Sequence, residues 1–451
     1  MEQTFFFYDL ETSGLKSRED RLMQFAGQRT TLELEPIGDP VNILVKISDD
    51  ALPSPMAINV TGITPQSTLS DGISEPEFCK IAMNEIFTPG TCAVGYNTVR
   101  FDDEFMRATL WRNFYDPYEW EWKDGRSRWD LLDVVRMTRA LRPEGTNWPF
   151  DKNGKASNRL EYLTKENGLS HEHAHDALSD VYATIAVAQL IKEKQPELFK
   201  FLFDARNKRV VMNMINLDAS RPVVYVSGRY SSEFNKATVV VPIAPAKNGN
   251  VLVYDLRYNL DELLSQESEN GEKKSFYPIV KELCYNKCPA VAPIVVLNKG
   301  DGWEKIGLTL ERIQENLDSL NRHPEFVERI RAEFLEKPEF PPAVEPEQAL
   351  YDGFLNDKDR IKVEAVRNAD EKQLADFHPD FDDPRLPELL LHYKGRNFPN
   401  TLDEKEMEEW EKYRLKRLER QVPKYLQELE QVSDDFVKEE LRLYLESLAS
   451  F

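Results

Sequence analysis

Three groups of acidic and imidazole side chains along the 451-residue chain have types and spacings that could do chemistry together. The first is Asp9-Leu10-Glu11, which closes the apolar run Phe5-Phe6-Phe7-Tyr8. With one residue between them, two acids on a β-strand project from the same face. Carboxylates at the end of a buried strand are too costly to desolvate unless they are paired or hold a metal ion. The second group is Asp102-Asp103-Glu104, which follows the strand-like CAVGYN and opens a helical pattern with Phe101, Phe105 and Met106 as its apolar positions. The third is HEHAHDALSDVYATIAVAQLI, where His175 precedes Asp180 by five residues at the head of an apolar helix. Five helical positions turn through about 140°, which puts His175 on the incoming turn and leaves Asp180 fixed on the helix. Each group alone has a plainer explanation: an exposed acidic turn, an acidic first turn favoured by the helix dipole, or a histidine that caps or packs.

The elements that must hold these groups follow from hydrophobic patterning. Up to about residue 195, strand-like runs (TFFFYDL, LMQFAGQRTTLELE, VNILVKI, TCAVGYN) mix with helical patterns over 129–141, 158–166 and 175–192, which predicts an α/β layer domain. Between about 205 and 300 the texture changes to short β-rich runs, RPVVYVSG, ATVVVPIA, NVLVYDL and APIVVLN, as in a small barrel or curled sheet. IGLTLERIQENLDSLNRH then reads as a helix, and EKPEFPPAVEPEQ as a proline-rich acidic linker. From about 347 onward, helical periodicity with alternating charge predicts a helical third domain. The expected domains are residues 1–195, 196–346 and 347–451.

A net charge of -21 would ordinarily argue against nucleic acid as a partner. The 58 basic residues need only be unevenly placed for a basic groove to exist on an acidic protein. Four cysteines without a second metal-type pair read as free thiols in a reducing compartment. The N-terminal run lacks the pattern of a signal peptide, and no apolar stretch approaches the roughly 18 residues of a membrane span. A cytoplasmic protein with no membrane partner is expected.

Strand acid pair, loop-to-helix acid, then His and Asp on a late helix resemble, in this order and spacing, the DEDDh exonucleases of ribonuclease-H-like fold. The resemblance maps the four family carboxylates onto Asp9, Glu11, Asp102 and Asp180, and the catalytic histidine onto His175. Asp103 is the rival for the third acid, but the family places that acid directly after the Phe closing N-x-x-x-F, here Asn97 to Phe101. RFDDEF, RNFYDPY, RWDLLDVVR, LRPEGTNWP, RLEYLTKENG and AHDALSDVYAT are similar to the bacterial exonuclease I family. RNKRVV, VSGRY, NKCP and GRNFPNTLD extend the likeness along the chain. That family has an exonuclease domain, a Src-homology-3-like β-barrel and an α-helical C-terminal domain.

The resemblance implies 3′→5′ hydrolysis of single-stranded DNA to 5′-mononucleotides, in DNA repair and recombination. It implies two Mg²⁺ ions, with Mn²⁺ as a substitute. Asp9 would bridge the ions, Glu11 and Asp180 would complete one, and Asp102 would reach the other directly or through water. His175 would be the general base, its ordinary pKa near 6.5 suiting the task. The stretch 107–136 is rich in Arg and aromatic residues, which hold phosphates and stack bases. By resemblance Arg107, Tyr118, Trp122 and Arg136 fall on the DNA path, Arg159 and Glu11 contact the terminal nucleotide, and Thr12-Ser13-Gly14 leave room for it. The family also binds the acidic, Phe-terminated tail of the single-strand DNA-binding protein, with Arg142 as a contributor, and a monomer is expected. The competing readings are an RNA-trimming or proofreading exonuclease of the same superfamily, and a noncatalytic clamp on DNA or partner.

Overall fold

Three phenylalanines and a tyrosine in a row demand burial on both faces of a strand, and that run becomes the inner strand β1 (Thr4–Thr12). The structure is a computed structural model and describes residues 3–171, 176–270, 276, 278–336 and 343–449. The chain divides into two units, one of Met1–Ser127, Glu172–Tyr182 and Pro341–Phe451, the other of Arg128–His171 and Ala183–Phe340.

In the first unit β1 runs antiparallel to β2 (Leu22–Thr30) and parallel to β4 (Thr91–Gly95), and β2 runs antiparallel to β3 (Val41–Leu44). On one face of β1, Phe6, Tyr8 and Leu10 enter a core with Phe25, Phe87 and Trp120. That leaves Asp9 and Glu11 on the opposite face. Three short helices follow β3: α1 (Pro55–Thr61), α2 (Pro65–Asp71) and α3 (Glu75–Ile81). Each starts from a Ser or Thr whose side chain accepts a backbone N–H, with proline in the first turn. Helix α4 (Asp102–Arg112) follows β4.

The C-terminal helices pack against the N-terminal part of this unit in two further clusters. Met23, Ile47 and Ile58 pack with Tyr425, Leu441 and Leu448. Trp111 and Phe114 pack with Val366, Leu389 and Tyr393. Of the expected acidic linker, residues 337–342 lie outside the described residues, and its end is corrected: Pro346–Tyr351 forms a 3₁₀ turn, and Glu347 is fully buried between Arg21, Arg396 and Arg417. Its local composition resembles a solvated linker, but its charges are neutralised by arginines distant in sequence.

The chain passes between the units within strand β5 (Ser127–Asp130) and within helix α7 (Ala177–Lys194). The second unit holds helices α5 (Leu131–Leu141) and α6 (Leu160–Glu166). It also holds strands β6 (Val223–Val226), β7 (Ala237–Pro245), β8 (Val251–Asp255), β9 (Val280–Leu283) and β10 (Ala290–Pro293). They form one antiparallel sheet in the order β10-β6-β7-β8-β9. Three local expectations are corrected. The strand read into APIVVLN stops at Pro293, and Ile294–Asn298 is a 3₁₀ turn. Trp129 lies within β5, and the helix opens at Leu131 instead. The run TTLELE leaves β2 at Thr30 and turns at Leu34, whose φ is 71°. All four cysteines are free thiols, and among the described residues no helix is long and apolar enough to cross a membrane.

Candidate active site

Alternation along β1 decides where the first acid pair points, because Tyr8 and Leu10 are taken by the core. Between Glu11 and Thr12 the register with β2 shifts: Glu11 still pairs with Gln24, while Thr12 pairs with Leu22. Such a bulge bends and twists the strand and re-aims the side chain beside it. It falls on the second acid.

The third acid comes from the start of α4. Gly95 ends β4 where a Cβ would lie 2.1 Å from Thr98 Cγ2 and 2.9 Å from Tyr8 O, so only glycine lets the chain turn this tightly against β1. Asn97 then adopts φ 72°, and α4 opens with Asp102 and Asp103 both buried. Their partners separate the rivals. The Tyr8 hydroxyl donates to Asp103 Oδ1 at 2.5 Å, which commits Asp103 to the core. Asp102 Oδ1 accepts from the Leu10 backbone N–H at 3.2 Å, between the two strand acids.

Asp180 stands in the first turn of α7. Ligand oxygens of Asp9, Glu11 and Asp180 lie within 4.8 Å of one another. At that separation, with an effective dielectric near 20, each pair of full charges repels by about 3 kcal/mol. Burial first, then the charges of Asp102, Asp180, Glu11 and Asp176, hold the Asp9 carboxyl well above the usual carboxylate range. Burial, followed by Asp180, Asp102 and Asp176, pushes Glu11 up to about 8. An all-oxygen cluster that cannot carry its own charge fits hard divalent cations, which cancel the repulsion. Asp176, which directly follows the histidine run, is a further acid at the site that motif spacing does not single out. Its Oδ2 accepts from Ser179 N–H at 3.1 Å at the head of α7, and its charge reaches both strand acids. His175 lies outside the described residues.

The other predicted contacts are placed as follows. In the first unit Trp122 is 64% exposed and Tyr118 half-buried. Arg107 is buried, its guanidinium bonded to Glu121 at 2.5 and 2.9 Å and to Glu104 at 2.7 Å, and it lies 5.6 Å from the centre of the Tyr118 ring. In the second unit Arg159 is exposed, 3.5 Å from Glu161, and Arg136 bonds Asp133 at 2.6 Å. Arg142 donates to the carbonyls of Val296 at 2.9 Å and Leu141 at 2.6 Å, so it braces the turn after β10.

A central strand with two acids, joined by a third acid from a late helix and a fourth at the head of α4, defines an exonuclease of ribonuclease-H-like fold whose acid cluster takes divalent cations. The family model described as exonuclease matches residues 6–188, that of the exonuclease I SH3-like domain residues 206–336, and that of the exonuclease I C-terminal domain residues 344–451. The chain is 39% identical over 436 residues to exodeoxyribonuclease I of Haemophilus influenzae, covering 94% of this chain and 92% of that protein. It is 40% identical over 441 residues to that of Escherichia coli, covering 94% and 91%. The chain belongs to the exonuclease I family of exodeoxyribonucleases.

Solved structures agree. E. coli exonuclease I in complex with a dA16 oligonucleotide superposes with a TM-score of 0.93 at 38% identity, covering 99% of this chain and all of that one. The zinc-bound form of the E. coli enzyme with single-stranded DNA gives 0.92 at 37%, with both chains covered in full. An exonuclease I structure with the single-strand DNA-binding protein and an inhibitor gives 0.89 at 37%, covering 99% of this chain and all of that one.

Proposed function

We propose that this exonuclease degrades single-stranded DNA from the 3′ end to 5′-mononucleotides, using two Mg²⁺ ions, and serves DNA repair and recombination. The observation that carries the reading is the convergence of Asp9, Glu11 and Asp180 oxygens within 4.8 Å, with Asp102 bonded between the strand acids. Asp9 would be shared by both ions, Glu11 and Asp180 would complete one site, and Asp102 would serve the other. Mn²⁺ would substitute. When bound, the ions supply Lewis-acid stabilisation of the attacking and leaving oxygens at the scissile phosphate.

The chain's own residues do the rest. His175 takes the proton from the attacking water. Glu11, Arg159 and the Thr12-Ser13-Gly14 turn receive the 3′-terminal nucleotide. Trp122 and Tyr118 offer ring faces to the bases, and Arg107 and Arg136 neutralise phosphates. Arg107 exchanges a carboxylate for phosphate to do so, since Glu104 and Glu121 hold it in the free protein. The complexes of E. coli exonuclease I with oligonucleotides support the substrate, and its zinc-bound form supports cation use. The complex with the single-strand DNA-binding protein supports that partner, whose acidic tail Arg142 would help to hold. The enzyme acts as a cytoplasmic monomer.

The test is digestion of 3′-labelled and 5′-labelled single-stranded DNA, and of matched RNA, with and without Mg²⁺. Asp180→Ala is expected to lower the rate at least about 100-fold while leaving DNA binding largely intact. Unchanged digestion by that variant removes the mechanism, and equal cutting of RNA removes the DNA assignment.

A further inference from the structure

The turn that follows Glu11 is anchored from the far end of the chain. Past the bulge, Ser13 N–H donates to Arg21 O at 2.8 Å, and Arg21 N–H to Ser13 Oγ at 2.7 Å. Thr12 Oγ1 donates to Gly14 O at 2.7 Å. Ser54 N–H donates to Ser13 O at 2.6 Å and Lys16 N–H to Asp20 Oδ2 at 2.8 Å, so the near side of the turn is held by its own bonds and by the residue that caps α1.

The Arg21 side chain ties the other side of the turn to residues distant in sequence. It is 1% exposed and turned into the protein, where Nη2 reaches Asp50 Oδ2 at 3.2 Å and both Glu347 oxygens at 3.3 and 3.4 Å. Its Nη1 holds Glu19 O at 3.2 Å and its Nε holds Ser48 Oγ at 3.2 Å. Glu347 is itself gripped by Arg396, at 2.8 Å, and by Arg417, whose Nη2 also donates to Glu19 O at 2.8 Å. Arg18 adds a bond from Nη1 to Gln348 O at 3.2 Å. Residues 18, 19 and 21 of the turn are thus all tied to 347, 348 or 417.

We propose that Glu347 and Arg21 are positioning residues for hydrolysis: through this pair the C-terminal segment fixes the bulged turn, and with it the aim of Glu11 and the seat of the 3′-terminal nucleotide. The inference rests on the active-site reading given above. Neither residue touches the reacting atoms. A neutral side chain at 347 leaves three buried guanidinium groups around fewer carboxylates, and Arg21 is the member whose displacement moves the turn.

The test compares full-length Glu347→Gln and Arg21→Lys with Glu75→Gln. Glu75 is a buried carboxylate, 6% exposed, paired with Arg112 at 2.8 Å, and its hydrogen bonds go to Arg112 and Asn113 rather than to the turn. The variants are assayed at a temperature where circular dichroism shows each one folded. Glu347→Gln and Arg21→Lys are expected to lower kcat about tenfold and to raise the Mg²⁺ concentration giving half-maximal rate, while Glu75→Gln stays within about twofold of the parent. Glu347→Asp should recover part of the loss. If Glu347→Gln does not fold, Arg21→Lys decides alone. The proposal is overturned by wild-type kcat and Mg²⁺ dependence in the positioning variants, or by an equal loss in Glu75→Gln. Asp180→Ala run in parallel separates the two readings: digestion by it removes the active site itself, whereas an inactive Asp180→Ala beside a fully active Arg21→Lys removes only the positioning role.

Discussion

Replacing Glu11 by Gln should make the metal-free protein more stable at pH 8 while destroying its activity. In the folded chain burial and three neighbouring acids push the Glu11 carboxyl from 4.5 up to about 8. A folded-state pKa raised in this way means that the fold holds the proton more tightly than the unfolded chain does. Its contribution is fully present below the unfolded value of 4.5 and is lost as pH rises through about 8. Each pH unit in that window is worth about 1.4 kcal/mol, so by pH 8 ionised Glu11 costs on the order of 4 kcal/mol. Glutamine has the same shape and no charge, and it relieves Asp9 as well. Thermal unfolding in EDTA should therefore show Glu11→Gln several degrees above the parent at pH 8, with the gap closing toward pH 4.5. Adding Mg²⁺ should raise the parent's Tm and leave that of the variant nearly unchanged. The reasoning fails if Glu11→Gln is the less stable protein at pH 8 without metal, or if the difference does not depend on pH.

Two further perturbations probe other parts of the molecule. His392 is held down to about 3 by burial and then by Arg396, lies 3.7 Å from the Tyr413 ring centre, and has no hydrogen-bond partner at Nδ1. A depressed histidine stabilises the fold above its unfolded pKa near 6.5 and loses that contribution as pH falls toward 3. Urea unfolding should show the parent about 2 kcal/mol weaker at pH 5 than at pH 7 on this account, a drop that His392→Phe removes. Trp122→Ala deletes an exposed stacking face, so KM for single-stranded DNA should rise about tenfold with kcat and Tm little changed. Fluorescence anisotropy with a labelled oligonucleotide checks the binding loss.

What could be read in the sequence was local and periodic. Four aromatics running into Asp-x-Glu announce a buried strand and a same-face acid pair, and α4 and α7 carry their acids in the expected first turns. The preference for Asp102 over Asp103 rests on family spacing, and no sequence signal shows that Asp103 accepts from the Tyr8 hydroxyl while Asp102 accepts from the Leu10 N–H. The bulge at Glu11 has no sequence signature, because it depends on the pairing with β2. Glu345-Pro346-Glu347 was misread because burial of a charge is decided by partners, here arginines at 21, 396, 417 and 420. Arg107 and Arg142 looked like groups reaching toward ligands. In the folded chain their donors are turned onto nearby carboxylates and carbonyls, a matter of tertiary geometry.

Packing within the first unit also joins residues that lie far apart in chain order. Met23, on the strand paired with the acid-bearing one, is covered by Tyr425, Leu441 and Leu448, and Arg21 waits for Glu347. Domains generally fold as they emerge from the ribosome, and these contacts can form only once the helices bearing Tyr425, Leu441 and Leu448 have been made. A chain cut short before Glu404 carries every predicted acid and lacks this packing. Loss of that packing, with the acids intact, is therefore expected to lower the rate of digestion.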